Sequence, residues 1–375
     1  MKMFSGCCGF VFAVFLFACL SCADDCEFAE VFKDEPGRYV YSYPSSSSFA
    51  DITEENSHSG EICLRLELDH NNYSGAGYSL HSPVDASSIK EKGNLQFWVK
   101  GGSGGEQFEI ALVNEQNDGR KAESSFNVAM IAEISKEWQK ITIPLSSFPL
   151  NAVYWDGAQG KELPIKFDWS NITELKIRTR PDPKRGKDII LYFDDVVLTA
   201  GGKSSIRELN VYKEGEPLYT YTYGGKSEIE IVENIYEGKP SIKMVLDAKD
   251  YSGGAFAFGP LDLSNARSRG VLEFMLKSEK GGEKVELNVV KADDPKVEVG
   301  IDLNSVKPIS SDWQKYEIPL KDFPEKGLYW NPQAGREISE ELTKWDNIGE
   351  LKFKIKKGEN RSCVLYVSDV KIRLN

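Results

Sequence analysis

Trp138-Gln139-Lys140-Ile141-Thr142-Ile143-Pro144-Leu145-Ser146-Ser147-Phe148-Pro149 returns 175 residues later as Trp313-Gln314-Lys315-Tyr316-Glu317-Ile318-Pro319-Leu320-Lys321-Asp322-Phe323-Pro324. Within each stretch, apolar and polar residues alternate up to the proline, which is the period of a half-buried strand. A proline cannot donate a ladder hydrogen bond, so this strand ends, or lies at a sheet edge, at Pro144 and Pro319. The repeat extends outward on both sides. Leu68-Asp69 and Tyr73-Ser74-Gly75 recur as Leu246-Asp247 and Tyr251-Ser252-Gly253, Tyr154-Trp155 as Tyr329-Trp330, and Glu174-Leu175-Lys176 as Glu350-Leu351-Lys352. Residues 31–199 and 211–374 are therefore two copies. A unit this long is a domain with its own core rather than a solenoid repeat.

Period-2 stretches fill both copies. Ile62 to Leu68, Leu95 to Val99 and Phe108 to Leu112 are answered by Ile242 to Leu246, Leu272 to Leu276 and Val285 to Val289. Turn residues bound each one, so the pattern predicts an all-β sandwich or barrel. Ile338 to Lys344 carries the only weak helical signal, one turn or two. The expected layout is a processed N-terminus over 1–26, module 1 over 27–200, a linker over 201–206 and module 2 over 207–375.

The first 26 residues read as an export signal. Lys2 is followed by an apolar run from Gly9 to Ala18, too short to span a bilayer. Leu16-Phe17-Ala18-Cys19 resembles a bacterial lipobox, with Cys19 as the lipidated residue. Cys22 is a rival, and cleavage after Ala23 would release a secreted protein instead. Five of the seven cysteines lie at or before Cys26. Cys63 and Cys363 occupy non-equivalent positions and read as buried strand residues. The expected location is the outer membrane or cell surface, with secretion or the periplasm as alternatives and the lipid anchor as the sole membrane contact.

Forty-six basic residues against 58 acidic ones give a formal charge of −12. That balance disfavours nucleic acid and anionic membrane surfaces, which need clustered Lys and Arg. The three histidines, His58, His70 and His81, all lie in the first copy. A Ser-His-Asp arrangement repeated per module is impossible, and so is a His-based metal site in module 2. Neither Gly202-Lys203-Ser204 nor Gly225-Lys226-Ser227 has the upstream glycine of a phosphate-binding loop. No acid pair stands out for glycoside hydrolysis. The expectation is a protein without catalytic residues.

The Trp-Gln-Lys, Ile-Pro-Leu and Phe-Pro series resembles the signature of galactose-binding-like jelly rolls. So do the closing strands Leu191-Tyr192-Phe193-Asp194-Asp195-Val196 and Leu365-Tyr366-Val367-Ser368-Asp369-Val370. The Leu-Asp…Tyr-Ser-Gly turn is similar to the aromatic strand pair of family 11 carbohydrate-binding modules. The resemblance implies two tandem jelly-roll β-sandwiches. It also implies that Asp195 and Asp369, at equivalent places in the last strand, help hold a structural Ca²⁺; a hydrogen-bonded structural role is the alternative.

Aromatic side chains in polar surroundings supply the candidate site. A sugar offers an apolar C–H face for stacking and hydroxyls for hydrogen bonding. Tyr154-Trp155 and Tyr329-Trp330 fall in segments rich in Asn, Asp, Gly and Pro, read as loops. Asp156 and Gln159 lie beside the first pair; Asn331, Gln333 and Arg336 lie beside the second. Tyr73 and Tyr251, in turns, and Tyr78, on the following strand, would extend the surface. Trp138 and Trp313 read as core or edge packing, and Trp98 as core. The expected function is non-catalytic binding of a polysaccharide or oligosaccharide by both modules. The alternative is a surface assembly protein using jelly rolls as spacers.

Overall fold

The computed structural model describes residues 27–34, 39–44, 46–181, 186–201, 206–212, 219–247, 252–292, 296–342, 344–355 and 362–374. Cys19, Cys22 and Tyr251 lie outside the described residues. The first module is built from β1 (Glu27–Phe32), β2 (Val40–Tyr43), β3 (Phe49–Thr53), β4 (Cys63–Leu68), β5 (Ser74–Val84), β6 (Asn94–Gly101), β7 (Glu109–Glu115), β8 (Lys121–Asn127), β9 (Gln139–Pro144), β10 (Asn151–Asp156), β11 (Lys161–Lys166), β12 (Ile172–Thr179) and β13 (Ile189–Thr199). The second repeats them in order as β14 (Glu208–Tyr212), β15 (Tyr219–Tyr223), β16 (Glu228–Tyr236), β17 (Lys239–Leu246), β18 (Ser252–Leu261), β19 (Val271–Ser278), β20 (Val285–Lys291), β21 (Glu298–Asp302), β22 (Gln314–Pro319), β23 (Lys326–Asn331), β24 (Arg336–Glu341), β25 (Ile348–Ile355) and β26 (Cys363–Arg373).

Each module has two antiparallel sheets. In module 1 one sheet runs β3-β4-β13-β6-β9 with β1 added to β13, and the other runs β11-β10-β8-β7-β12-β5-β2. Module 2 repeats both orders with β16-β17-β26-β19-β22 plus β14, and β15-β18-β25-β20-β21-β23-β24. This is the two-layer jelly-roll sandwich expected from the sequence, present twice. The proline strands β9 and β22 are edge strands ending at Pro144 and Pro319, as the missing N–H requires.

Inward residues of the two sheets interlock as cores. In module 1, Phe193 lies 5.6 Å from Phe97 and 5.2 Å from Phe108, ring to ring. In module 2, Phe274 stacks on Tyr316 at 5.2 Å and meets Phe353 edge-on at 5.9 Å. Cys63 and Cys363 are buried free thiols, each pushed up to about 12 by burial.

The last strand of each module slips phase at an aspartate. Leu191 and Phe193 point inward, then Val196 and Leu198 do, and the pairing with β6 shifts register between Asp194 and Val197. Asp195 sits in the left-handed region at φ 46°, and Asp369 at 47°. Aspartate tolerates that conformation better than branched or bulky residues do, so the bulge itself accounts for the recurrence. It also divides one strand edge between two neighbours. β4 pairs with Ile189–Phe193, while β1 pairs beyond the bulge with Val196–Thr199.

Of the segment expected as a helical turn, Ile338 to Glu341 belongs to the edge strand β24 and pairs with β23, and Thr343 lies outside the described residues.

Candidate functional site

The outer face of the seven-stranded sheet of module 1 carries a row of tyrosines. Along β2, Tyr41 and Tyr43 point away from the core, with Tyr39 just before the strand and Tyr73 just before β5. Successive ring centroids are 5.8, 6.4 and 6.4 Å apart in the order Tyr39, Tyr41, Tyr43, Tyr73, each pair tilted by just over 30°. The neighbouring strand lets the rings lie flat. A Cβ on Gly75 would come 2.4 Å from Tyr43 Oη, and one on Gly77 would come 2.3 Å from Tyr41 Cζ. At Gly75 the Ile177 carbonyl oxygen would also lie only 2.6 Å away and cannot swing aside, so that position requires glycine. At Gly77 only the Tyr41 ring and the Glu174 carboxylate would have to give, and module 2 carries Ala255 at the equivalent place.

Charged groups follow across the middle strands. The Tyr41 hydroxyl donates to Glu174, whose carboxylate also pairs with Lys121 at 2.8 Å. Lys176 meets Glu123 at 2.5 Å. Arg178 bridges Glu123 at 3.1 Å and Glu109 at 2.9 Å, and Arg180 reaches Glu109 at 3.0 Å. Burial pushes the Glu109 carboxyl up, but Arg178 and Arg180 outweigh it and hold the group below the usual carboxylate range. Burial raises the Tyr73 hydroxyl to about 12 and also raises Tyr41 and Tyr43, so all three stay protonated donors at neutral pH.

At the far side of the face stands Trp155 on β10, paired with Glu162 on β11 and 64% exposed. Beside Arg178 and Asn151, a recess of about 100 Å³ is walled partly by Phe258 to Leu261 of module 2.

Module 2 reproduces this face. Tyr221 and Tyr223 alternate along β15, and a Cβ on Gly253 would come 2.4 Å from Tyr223 Oη. Tyr221 donates to Glu350 at 2.5 Å, and Lys296 also pairs with that carboxylate. Lys352 and Lys354 hold Glu298 at 2.8 and 2.5 Å. Burial raises Glu298, and the two lysines reverse the shift. Trp330 on β23 is 63% exposed. Rings for stacking, flanked by fixed hydroxyls, carboxylates and cations, form a surface suited to a neutral polyhydroxylated ligand.

A family model for carbohydrate binding domain 30 matches residues 29–200 and again residues 208–373. The chain belongs to that family. Among solved structures, the family 30 module of the cellulosomal cellulase Cel9D-Cel44B of Clostridium thermocellum is 20% identical, covering 47% of this chain and 98% of its own, with a TM-score of 0.36. A family 11 module from the same organism, solved with a β-1,3-1,4-mixed-linked tetrasaccharide, is 14% identical over 47% of this chain and 95% of its own, with a TM-score of 0.34. The tandem CBM22-1–CBM22-2 domain of Paenibacillus barcinonensis Xyn10C is 11% identical over 95% of this chain and 100% of its own, with a TM-score of 0.28. Comparison with curated proteins gives no match. The protein is thus a tandem of carbohydrate-binding modules, and modules of this kind are non-catalytic.

In these domain-30 modules the sequence-predicted residues divide. Trp155, Trp330 and Tyr73 lie on the outer face. Tyr78 does not: it is in phase with inward Ala76, is 1% exposed and packs edge-on against Phe32 at 5.3 Å. Tyr154 and Tyr329 belong to strands rather than loops, so each points opposite to its neighbouring tryptophan. The Tyr154 ring lies under Arg120 at 4.8 Å, and Tyr329 packs against the core. Asp156 closes the β10–β11 turn by accepting from the Ala158 and Gln159 amides at 2.9 and 3.2 Å and from Gln159 Nε2 at 2.9 Å. Asn331 accepts from the Ala334 amide at 2.9 Å in the equivalent turn, where Arg336 is exposed. Trp98 is an outward residue between inward Phe97 and Val99, not a core residue. Trp138 and Trp313 are half-buried on the same outward side of the six-stranded sheets, under Lys100 and Lys277 at 5.4 and 5.3 Å.

Sequence reasoning missed Tyr39, Tyr41 and Tyr43 and their counterparts Tyr221 and Tyr223. The signal was present as Tyr-Val-Tyr-Ser-Tyr at 39–43 and Tyr-Thr-Tyr-Thr-Tyr at 219–223. Period 2 puts Tyr39, Tyr41 and Tyr43 on one face of their sheet, and Tyr221 and Tyr223 on one face of theirs.

The calcium expectation fits the donors poorly. Ser59 Oγ donates to both Asp195 oxygens at 2.9 and 2.8 Å, and His58 Nδ1 is 3.2 Å away. Near Asp369, Glu273 is paired with Lys315 and Arg373, and Glu208 with Lys371, so cations already occupy the acidic neighbourhood. Among the described residues, neither aspartate belongs to a group of three metal-capable side chains. Such a group does form at Asp69, His70 and Asp188, where His70 Nδ1 already contacts Asp188 at 3.0 Å.

Proposed function

We propose that the outer faces of the two seven-stranded sheets bind a neutral polysaccharide. Sugar ring faces stack on Trp155 and Trp330 and on the rows containing Tyr41, Tyr43 and Tyr73 in module 1 and Tyr221 and Tyr223 in module 2. Hydroxyls bond to the carboxylate and cation network between them. One observation carries this reading: an exposed tryptophan and a tyrosine row share one face in module 1, and the second module repeats the tryptophan, two of the tyrosines and the glycine beneath Tyr223. Two weak sites on one chain raise retention through effective concentration. The chain then acts as a binder without catalysis, and we read residues 1–26 as an export signal with lipidation at Cys19 (or Cys22) that holds both modules at the cell surface.

The assembly reading asks for a broad exposed apolar patch. Trp155 instead borders Glu162 and Lys161 at its strand pair.

Affinity electrophoresis through gels containing neutral plant or microbial polysaccharides tests the binding, with retardation in at least one gel as the expected result. Unretarded migration in every gel would sink it. Metabolic labelling with palmitate tests the anchor separately; a Cys19→Ser, Cys22→Ser chain that keeps its label would overturn it.

A further inference from the structure

On the opposite layer of module 1, the outer side of the six-stranded sheet is plugged by the chain itself. Residues 54–62, between β3 and β4, fold over it. The His58 ring stacks on Trp98 at 3.7 Å with 17° between planes and meets Trp138 edge-on at 5.7 Å. The Ser59 hydroxyl bridges both Asp195 oxygens, and the His58 and Ser59 amides donate to Asp194 at 2.7 and 3.1 Å. Asp34 ties the segment down through the Glu61 and Ile62 amides at 2.8 and 3.2 Å.

Module 2 lacks the plug. β16 and β17 meet through the pair Tyr236 and Lys239, with only Glu237 and Gly238 between them, both at positive φ. That is the two-residue hairpin turn, with no room for a covering segment. Tyr236 lies 4.9 Å from Trp313, ring to ring, and among the described residues no hydroxyl takes the place of Ser59. Asp369 keeps the bulge conformation of Asp195, and among the described residues its carboxylate accepts no hydrogen bond. In place of the plug is a pocket of about 340 Å³, with Tyr236 and Met275 as apolar wall, Asp369 and Asn210 as polar groups, and Lys239 and Lys315 on the rim. This volume is at the small end of the range for ligand sites.

We propose that this pocket is a second ligand site, distinct from the sheet that carries Trp330, and that it takes one neutral, ring-sized polyol such as a single pyranose. Module 1 displays the chemistry that satisfies it. A flat ring lies against aromatic side chains, and a hydroxyl is shared between the two oxygens of the bulge aspartate. The balance of acidic and basic groups around Asp369 favours an uncharged ligand over an ion. Module 1 has closed its copy of the site and module 2 has left it open.

Saturation-transfer NMR on the full chain carrying Trp155→Ala and Trp330→Ala tests this, with glucose, galactose, mannose and xylose as probes, and sorbitol and galacturonate as open-chain and charged controls. At least one neutral sugar is expected to receive transfer, and the controls none. Asp369→Asn keeps a residue that tolerates positive φ, so the bulge survives while the charge is lost, and the signal should fall to background. Tyr236→Ala, at a surface hairpin, should do the same. If a neutral polysaccharide competes the signal away, the ring belongs to a chain; if it does not, the ligand is the free sugar. Absence of transfer to every neutral sugar, or a signal untouched by both variants, overturns the proposal. Neither result bears on the tryptophan faces, which are read by polysaccharide retardation of the unsubstituted chain.

Discussion

Tyr221 Oη lies 2.5 Å from Glu350 Oε2, and Tyr41 makes the same contact with Glu174 in the other module. The carboxylates are buried, so each hydroxyl both positions a ring and satisfies a charge that water does not reach. Tyr221→Phe keeps the ring and removes the donor, leaving Glu350 with Lys296. The expected cost is about 1–3 kcal/mol of stability, measurable as a lower midpoint of denaturant unfolding. An unchanged midpoint would show that the hydroxyl is dispensable.

The glycines beneath the tyrosines make a separate prediction. On Gly75, a Cβ would meet both Tyr43 Oη and the Ile177 carbonyl oxygen, at 2.4 and 2.6 Å, and the carbonyl cannot swing away. Gly75→Ala and Gly253→Ala should each destabilise their module by about 1–3 kcal/mol through overpacking. They should also weaken glycan binding by lifting Tyr43 or Tyr223 off the sheet. Wild-type stability and affinity together would contradict the flat pose.

What could be read from the chain, and what could not, follows from the range of each signal. Duplication and two-residue alternation are local, so the sandwich, its two copies and the edge strands at Pro144 and Pro319 were legible. The outward position of Trp155 rests on alternation too, but the surrounding Asn, Gly and Pro suggested a loop. Treating Tyr154 and Trp155 as a unit hid the fact that adjacent strand residues face opposite ways. Tyr78 is the same error in reverse: counting from Gly75 and Gly77 puts it inward. The tyrosine row needed non-local knowledge, because its flatness depends on glycines supplied by a strand more than thirty residues away. Asp195 and Asp369 were recognisable as a pair, but a backbone dihedral, invisible in sequence, explains them.

Acid should unfold the modules through the network at Glu109 and Glu298. Both carboxyls are depressed in the folded state, after Arg178 and Arg180, or Lys352 and Lys354, outweigh burial. Their stabilising contribution is full above the unfolded value, about 4.3, and is lost as pH falls through the folded value. Thermal midpoints followed downward from neutral pH should therefore decline below about pH 4.3, with a shallower decline in Glu109→Gln. An equally steep decline in that variant would remove Glu109 from the account.

Metal removal should do little. Asp195 is saturated by Ser59 and His58, and the acids around Asp369 are paired with lysines and an arginine. EDTA and millimolar calcium should give the same melting temperature. A rise with calcium that Asp195→Asn or Asp369→Asn abolishes would restore the ion to that strand.

The central claim is that the outer tyrosine–tryptophan faces hold glycan. Its most direct test is affinity electrophoresis of Trp155→Ala, Trp330→Ala and the double variant in whichever neutral polysaccharide retards the parent chain. Both tryptophans are exposed, so their removal should leave folding intact, and melting curves verify this. Losing one well-placed aromatic contact costs about 2 kcal/mol, roughly 30-fold in affinity. Each single variant should be retarded less than the parent, and the double variant least of all. A double variant retarded as strongly as the parent would contradict the assignment.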